Sequence, residues 1–162
     1  SDVCSSDLKW GLTVLRLNKK IEYGIIALLY LDNQQDKVAS VREMSSSCRI
    51  PETLLSKIMQ TMKNKGLVNA HYGNQGGYQL ARELSKISLL DLNTTLVGPV
   101  KVAECLEAGN ESCPVKDNCT ILTPMALLNQ KIVELFQETS LEALANTHKD
   151  AHRGKNEVAN LS

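Results

Sequence analysis

Three cysteines, Cys105, Cys113 and Cys119, fall within fifteen residues of a 162-residue chain. Thiolates bind soft metals and iron–sulfur clusters, and they also exchange as redox pairs. Seven residues separate Cys105 from Cys113, and five separate Cys113 from Cys119. Both gaps are longer than the two residues usual between zinc cysteines. A loop carrying Gly109 and Pro114 can instead wrap a larger body, such as an iron–sulfur cluster. Three thiolates leave one ligand position over. His71 falls in a hairpin, and His148 and His152 fall in a polar tail, so none of them easily fills it; a carboxylate could do so. By spacing alone, three reduced cysteines or a redox disulfide pair remain alternatives. The odd total of five cysteines and the lack of a secretory leader fit a cytoplasmic chain more than a disulfide framework.

A second chemical signal is charge. The formal net charge is zero. Residues 37–82, however, hold seven Lys and Arg against two Asp and Glu, the local basic excess expected of a polyanion-binding face. Aromatic residues are 4% of the chain, too few for a single-strand binder that stacks bases. The longest apolar run, Ile25 to Leu31, falls far short of a membrane span. No His stands beside a plausible nucleophile, no carboxylate dyad stands out, and the glycine-rich stretch Gly73–Gly77 opens a strand rather than a helix. An enzyme is therefore not expected.

The elements that must position these groups are mainly helical. Asn18 can cap a first helix with Ile21, Ile25, Leu28 and Leu29 on one stripe. Ser40-Val41-Arg42-Glu43 reads as a capping box for a short second helix. Pro51 is placed at the first position of a third helix, whose buried face is Leu54, Leu55, Ile58, Met59 and Met62. Lys63-Asn64-Lys65-Gly66 closes it. Two short helices joined by a tight turn form a helix-turn-helix. Strands over 67–72 and 78–81, joined by residues that tolerate positive φ, add a wing. Ser88 starts a fourth helix, and Thr123-Pro124 starts a long one with Leu127, Leu128, Ile132, Leu135 and Phe136 on a shared face. A last helical turn is expected over 140–145.

The second helix of such a motif enters the major groove of DNA. Thr53, Ser56 and Lys57 are then the candidates for base contacts, and Ser40, Arg42, Lys63 and Lys65 suit phosphates. The wing from His71 through Tyr72, Asn74 and Gln75 would enter the minor groove or track the backbone.

The sequence resembles the Rrf2 family of bacterial winged-helix regulators (IscR/NsrR-type), which includes the iron–sulfur-assembly regulator and the nitric-oxide-sensing repressor. The resemblance spans about 15–145. It rests on Leu15-Arg16-Leu17-Asn18-Lys19-Lys20, Glu22-Tyr23-Gly24, Ile50-Pro51, Lys65-Gly66-Leu67-Val68, Gly73-Asn74-Gln75-Gly76-Gly77-Tyr78, the three-cysteine loop and Ser140-Leu141-Glu142-Ala143-Leu144. It implies a homodimer, with the helix over 124–138 crossing its partner, and an iron–sulfur cluster of the 2Fe–2S or 4Fe–4S type on Cys105, Cys113 and Cys119. It also implies an acidic fourth ligand from helix 1 of the other subunit, where this chain has Glu22. Three departures stand out. Leu122 occupies the place of a ligating His in other members. The first cysteine gap is longer than the five residues common in the family. Tyr72 stands where the wing often carries Arg.

The expectation is a mainly α, winged helix-turn-helix protein with a long C-terminal dimerisation helix. Residues 1–13 are read as a disordered leader or non-native scar and 14–84 as the DNA-binding domain. Residues 85–145 form the cluster loop and dimerisation helix, and 146–162 a flexible tail. The expected function is a cytoplasmic, dimeric repressor of a double-stranded DNA operator, with affinity controlled by a cluster that senses nitric oxide, oxygen or iron–sulfur status. Two alternatives stand beside it. One is a cluster-free regulator controlled by a partner protein or thiol switch; the other is an iron–sulfur carrier or interaction protein that never touches DNA.

Overall fold

A computed structural model describes residues 17–34, 38–103, 106 and 118–147. Helix α1 (Lys19–Asn33) is capped by Asn18, whose side chain accepts from the Lys20 N–H at 2.9 Å. Its buried stripe is Ile21, Gly24, Ala27, Leu28 and Leu31, whereas Ile25 and Leu29 lie at the half-buried edge. The stripe is centred on Gly24 because a later helix comes close there. A Cβ on Gly24 would stand 2.7 Å from Leu96 Cδ1, so a larger residue there would make the Leu96 side chain shift.

Helices α2 (Val41–Cys48) and α3 (Glu52–Asn64) form the helix-turn-helix. The expected capping box on α2 forms by half. Ser40 Oγ accepts from the Glu43 N–H at 3.2 Å, but the Glu43 carboxylate instead accepts the Tyr30 hydroxyl at 3.2 Å. That bond ties α1 to α2. Arg49 ends α2 in the left-handed conformation, φ 55°, which makes the turn tight. Pro51 is the cap of α3 and not its first helical residue. Its ψ of 127° is extended, and its carbonyl accepts the N–H groups of Leu54 and Leu55. The C-terminus of α3 closes as a Schellman motif. Leu67 N–H donates to Met62 and Gly66 N–H to Lys63, each at 3.0 Å, with Gly66 at φ 74°.

Strands β1 (Val68–His71) and β2 (Gly77–Leu80) pair antiparallel, from Val68 opposite Leu80 to His71 opposite Gly77. The Ala39 N–H donates to the Tyr78 carbonyl at 2.9 Å, and the Tyr78 N–H donates back to Ala39 at 2.8 Å. The wing is thus fastened to the residue just before the α2 cap. Of the glycines in the wing loop, Gly73 alone has positive φ. Gly77 is needed for space, since a Cβ there would meet the Ala39 carbonyl at 2.4 Å.

Beyond the wing, a 3₁₀ turn (Leu84–Lys86) leads to α4 (Leu89–Leu96), opened by a complete capping box between Ser88 and Asp91. Helix α5 (Leu122–Glu138) starts before the expected Thr123-Pro124. Residues 141–147 are helical again. One apolar core joins α1, α3, the wing and α4 with Leu141 and Ala145, and Leu28, Met59 and Leu141 in it are fully buried. Burying a leucine is worth about 1.5–3 kcal/mol, so the segment after α5 is held firmly to the body. The fold is the expected winged helix-turn-helix with a long C-terminal helix. Among the described residues no helix is long and apolar enough to cross a membrane.

Candidate nucleic-acid interface and thiolate loop

The face of α3 opposite Leu55, Ile58, Met59 and Met62 carries Glu52, Thr53, Lys57 and Gln60, all exposed. Ser56 is half-buried, at the edge of this face. Thr53 and Lys57 are four residues apart and therefore neighbours on the helix surface. Ser40, half-buried, and Arg42, exposed, lie at the start of α2, where helix dipole and N–H groups favour an anion. The Ala39–Tyr78 bridge brings the wing beside this same end.

Two side-chain bonds tie the wing to α3. Lys63 Nζ donates to the Tyr72 hydroxyl at 3.0 Å and sits 5.7 Å from the centre of its ring. The Tyr78 hydroxyl donates to Gln60 Oε1 at 3.4 Å. The bond to the Tyr72 hydroxyl, followed by its electrostatic influence, pushes the Lys63 ammonium pKa up, so this lysine stays charged. The His71 ring bonds Gln79 within the wing at 2.9 Å, and His71, Tyr72, Asn74 and Gln75 are all exposed. Lys65, also exposed, caps the end of α3.

Glu22 lies in the first turn of α1 and is paired with Lys19. Such a surface pair is worth only about 0.3–0.5 kcal/mol, so the carboxylate is easily released to another partner. Cys119 is a free, half-buried thiol two residues before the Ile121 cap of α5. Cys105 and Cys113 lie outside the described residues. Before the cysteine loop, the Val102 N–H donates to Asn129 Oδ1 at 3.0 Å. Both described ends of the loop are therefore attached to α5, one at its foot and one two turns along. Among the described residues no three His, Cys, Asp or Glu side chains gather as a metal group. Burial pushes the Cys48 thiol pKa up, which makes it a poor nucleophile in the helix-turn-helix turn.

Three features are not signalled as such by the sequence. Asn129 had only an indirect signal, a polar residue amid the apolar α5 stripe. The Gln60–Tyr78 contact and the left-handed Arg49 had none, because both depend on how the chain folds back.

Helix α5 has no fully buried residue. Ile132 and Phe136 pack half-buried toward the body, while Leu127, Leu128 and Leu135 are 55%, 44% and 59% exposed. The single shared face expected for these five leucine, isoleucine and phenylalanine side chains is thus divided between two sides. Ile121 and Leu122 extend the exposed apolar surface at the foot of the helix.

A family model described as "Rrf2: Iron-dependent Transcriptional regulator" matches residues 17–147. The candidate HTH-type transcriptional regulator slr0846 of Synechocystis is 41% identical over 135 residues, covering 80% of this chain and 87% of that protein. The HTH-type transcriptional regulator IscR of Photorhabdus laumondii is 25% identical over 136 residues, covering 83% and 82%. Among solved structures, CymR, described as the global cysteine regulator of B. subtilis, superposes with a TM-score of 0.64 at 23% identity, over 83% of this chain and 98% of that one. At that identity the likeness bears on the fold.

Proposed function

This chain belongs to the Rrf2 family of transcriptional regulators, matched over residues 17–147, and from that premise we propose a dimeric DNA-binding repressor governed by an iron–sulfur cluster on Cys105, Cys113 and Cys119. The observation that carries the DNA half is the exposed polar face of α3, set between the capped start of α2 and a wing bonded to both. Thr53, Ser56 and Lys57 read base edges in the major groove. Ser40, Arg42, Lys63 and Lys65 hold phosphates, and His71, Tyr72, Asn74 and Gln75 bring the wing to the backbone or minor groove. The exposed leucines of α5 form the two-fold contact. Pairing sets two copies of α3 about 34 Å apart, one DNA turn. In this reading 14–84 reads DNA and 85–145 senses and pairs, although the apolar core runs through both.

The donor set suits the cluster. Three thiols are the soft ligands that iron–sulfur centres take, and Cys119 is unpaired and partly accessible. The partner subunit's Glu22 completes the set. When bound, the cluster supplies iron that reacts with nitric oxide or oxygen. The chain's own part is to fix Val102, just ahead of the cysteines, to α5 through its bond to Asn129. The family description as iron-dependent supports this assignment.

A second reading keeps DNA binding and gives control to thiol chemistry. It is favoured by the free, half-buried Cys119 thiol. Anaerobic purification with iron and sulfide assays decides between the two. Coloured protein holding both elements supports the cluster, and colourless protein lacking them supports the thiol reading. A gel shift that weakens with salt, as counterion release requires, tests DNA binding itself.

A further inference from the structure

Tyr72 is 85% exposed, more than any other large apolar side chain among the described residues. It is nevertheless held in place, because Lys63 Nζ donates to its hydroxyl at 3.0 Å. We propose that Lys63 and Tyr72 are one composite phosphate clamp, joining the end of α3 to the wing and gripping the DNA backbone. The proposal rests on the DNA-binding reading and assigns a joint role to two residues of that surface.

The donor inventory carries the argument. An ammonium has three protons, and the Tyr72 bond takes one, leaving two. In that bond the phenolic oxygen accepts, so its own proton remains to be given. Two donors therefore stand 3.0 Å apart, close enough to reach oxygens of one phosphate. A phosphate only accepts hydrogen bonds, and donors shared with a cation bind it most strongly. The base-reading end of a recognition helix is its N-terminal half, whereas Lys63 lies in the last turn of α3. That position favours backbone over base.

The clamp needs a fixed gap between helix and wing. The Tyr78–Gln60 bond supplies it from the second strand, since Gln60 and Lys63 are three residues apart and lie on one side of α3. A free lysine would instead lose rotamer entropy on meeting a phosphate. Here that ordering is already made.

The test is fluorescence anisotropy of the full chain with a labelled random-sequence duplex across a salt series. The proteins compared are wild type, Tyr72→Phe, Lys63→Ala and the double variant. Tyr72→Phe keeps the ring and removes the hydroxyl, and affinity should fall about ten- to hundredfold, as for one hydrogen bond to a charged group. Its salt slope should match wild type, because no charge is lost. Lys63→Ala should reduce the slope by about 0.9, one phosphate. The double variant should bind no worse than Lys63→Ala, since the two groups act as one. Wild-type affinity in Tyr72→Phe, or losses that multiply in the double variant, would overturn the clamp. So would a lowered melting temperature with unchanged affinity, which makes the contact merely structural. A wild-type protein that binds no duplex removes the DNA reading together with the clamp. A binding wild type with an unaffected Tyr72→Phe removes the clamp alone.

Discussion

Replacing Gly77 with Ala should pull the wing away from the helix-turn-helix. The new Cβ would lie 2.4 Å from the Ala39 carbonyl oxygen, 2.5 Å from its carbon and 2.8 Å from Ser40 N. These are backbone atoms, so no side-chain rotation relieves them. To reach ordinary contact the strand must retreat by about 1 Å. The two Ala39–Tyr78 hydrogen bonds, now 2.9 and 2.8 Å, would then stretch out of bonding range. Each is worth about 0.5–1.5 kcal/mol. The lower entropy of an unfolded alanine returns about 0.4–1 kcal/mol, leaving a net loss of about 1–2 kcal/mol. For a chain of this size that lowers Tm by about 2–8 °C, read by circular dichroism melting. Duplex affinity should fall as well, because the wing would no longer sit beside Ser40 and Arg42. A melt equal to or above wild type would refute the close-approach argument.

Lys57→Ala should weaken binding to the cognate operator by about 1–3 kcal/mol and to random duplex by much less; an equal loss on both in a gel shift would reassign it to a phosphate. Leu135→Asp, placed on the exposed apolar face of α5, should convert a dimer to monomers in analytical ultracentrifugation while the melt of the body persists. Glu22→Ala should leave the fold intact, since its pairing with Lys19 is a surface one. It should also speed the loss of cluster absorbance in air, and an unchanged decay would point to a different fourth ligand.

Much of the fold is written locally. Asn18, Ser40, Ser88 and Gly66 each mark a helix boundary through a hydrogen bond that their own side chain or φ angle makes possible, and such signals survive without tertiary context. The α3 face was legible for the same reason, since a 3.6-residue period separates Leu55, Ile58, Met59 and Met62 from Thr53 and Lys57. What the chain does across long separations was not legible. Glu43 gives its carboxylate to Tyr30, thirteen residues back, and so the capping box stays half made. Gly77 looked like a turn glycine, but its role is set by Ala39, which nothing in the local pattern reveals. The α5 stripe looked continuous because periodicity reports apolar spacing and not what lies opposite. Of the candidate site, the groove-facing residues were readable as exposed polar positions, whereas the Lys63–Tyr72 and Gln60–Tyr78 ties needed the hairpin folded against the helix.

The end of α5 does not swing free. Leu89 N–H donates to the Thr139 carbonyl at 2.8 Å, and Leu141 N–H donates to Ile87 at 2.9 Å, which splices the exit of α5 to the entrance of α4. Helix α4 rests in turn on α1 and α3 through the shared core. Helix α5 thus acts as a lever bolted at its base. A small tilt imposed on it by a second subunit would be carried rigidly to α3, and the angle between two such levers would set the grip on an operator.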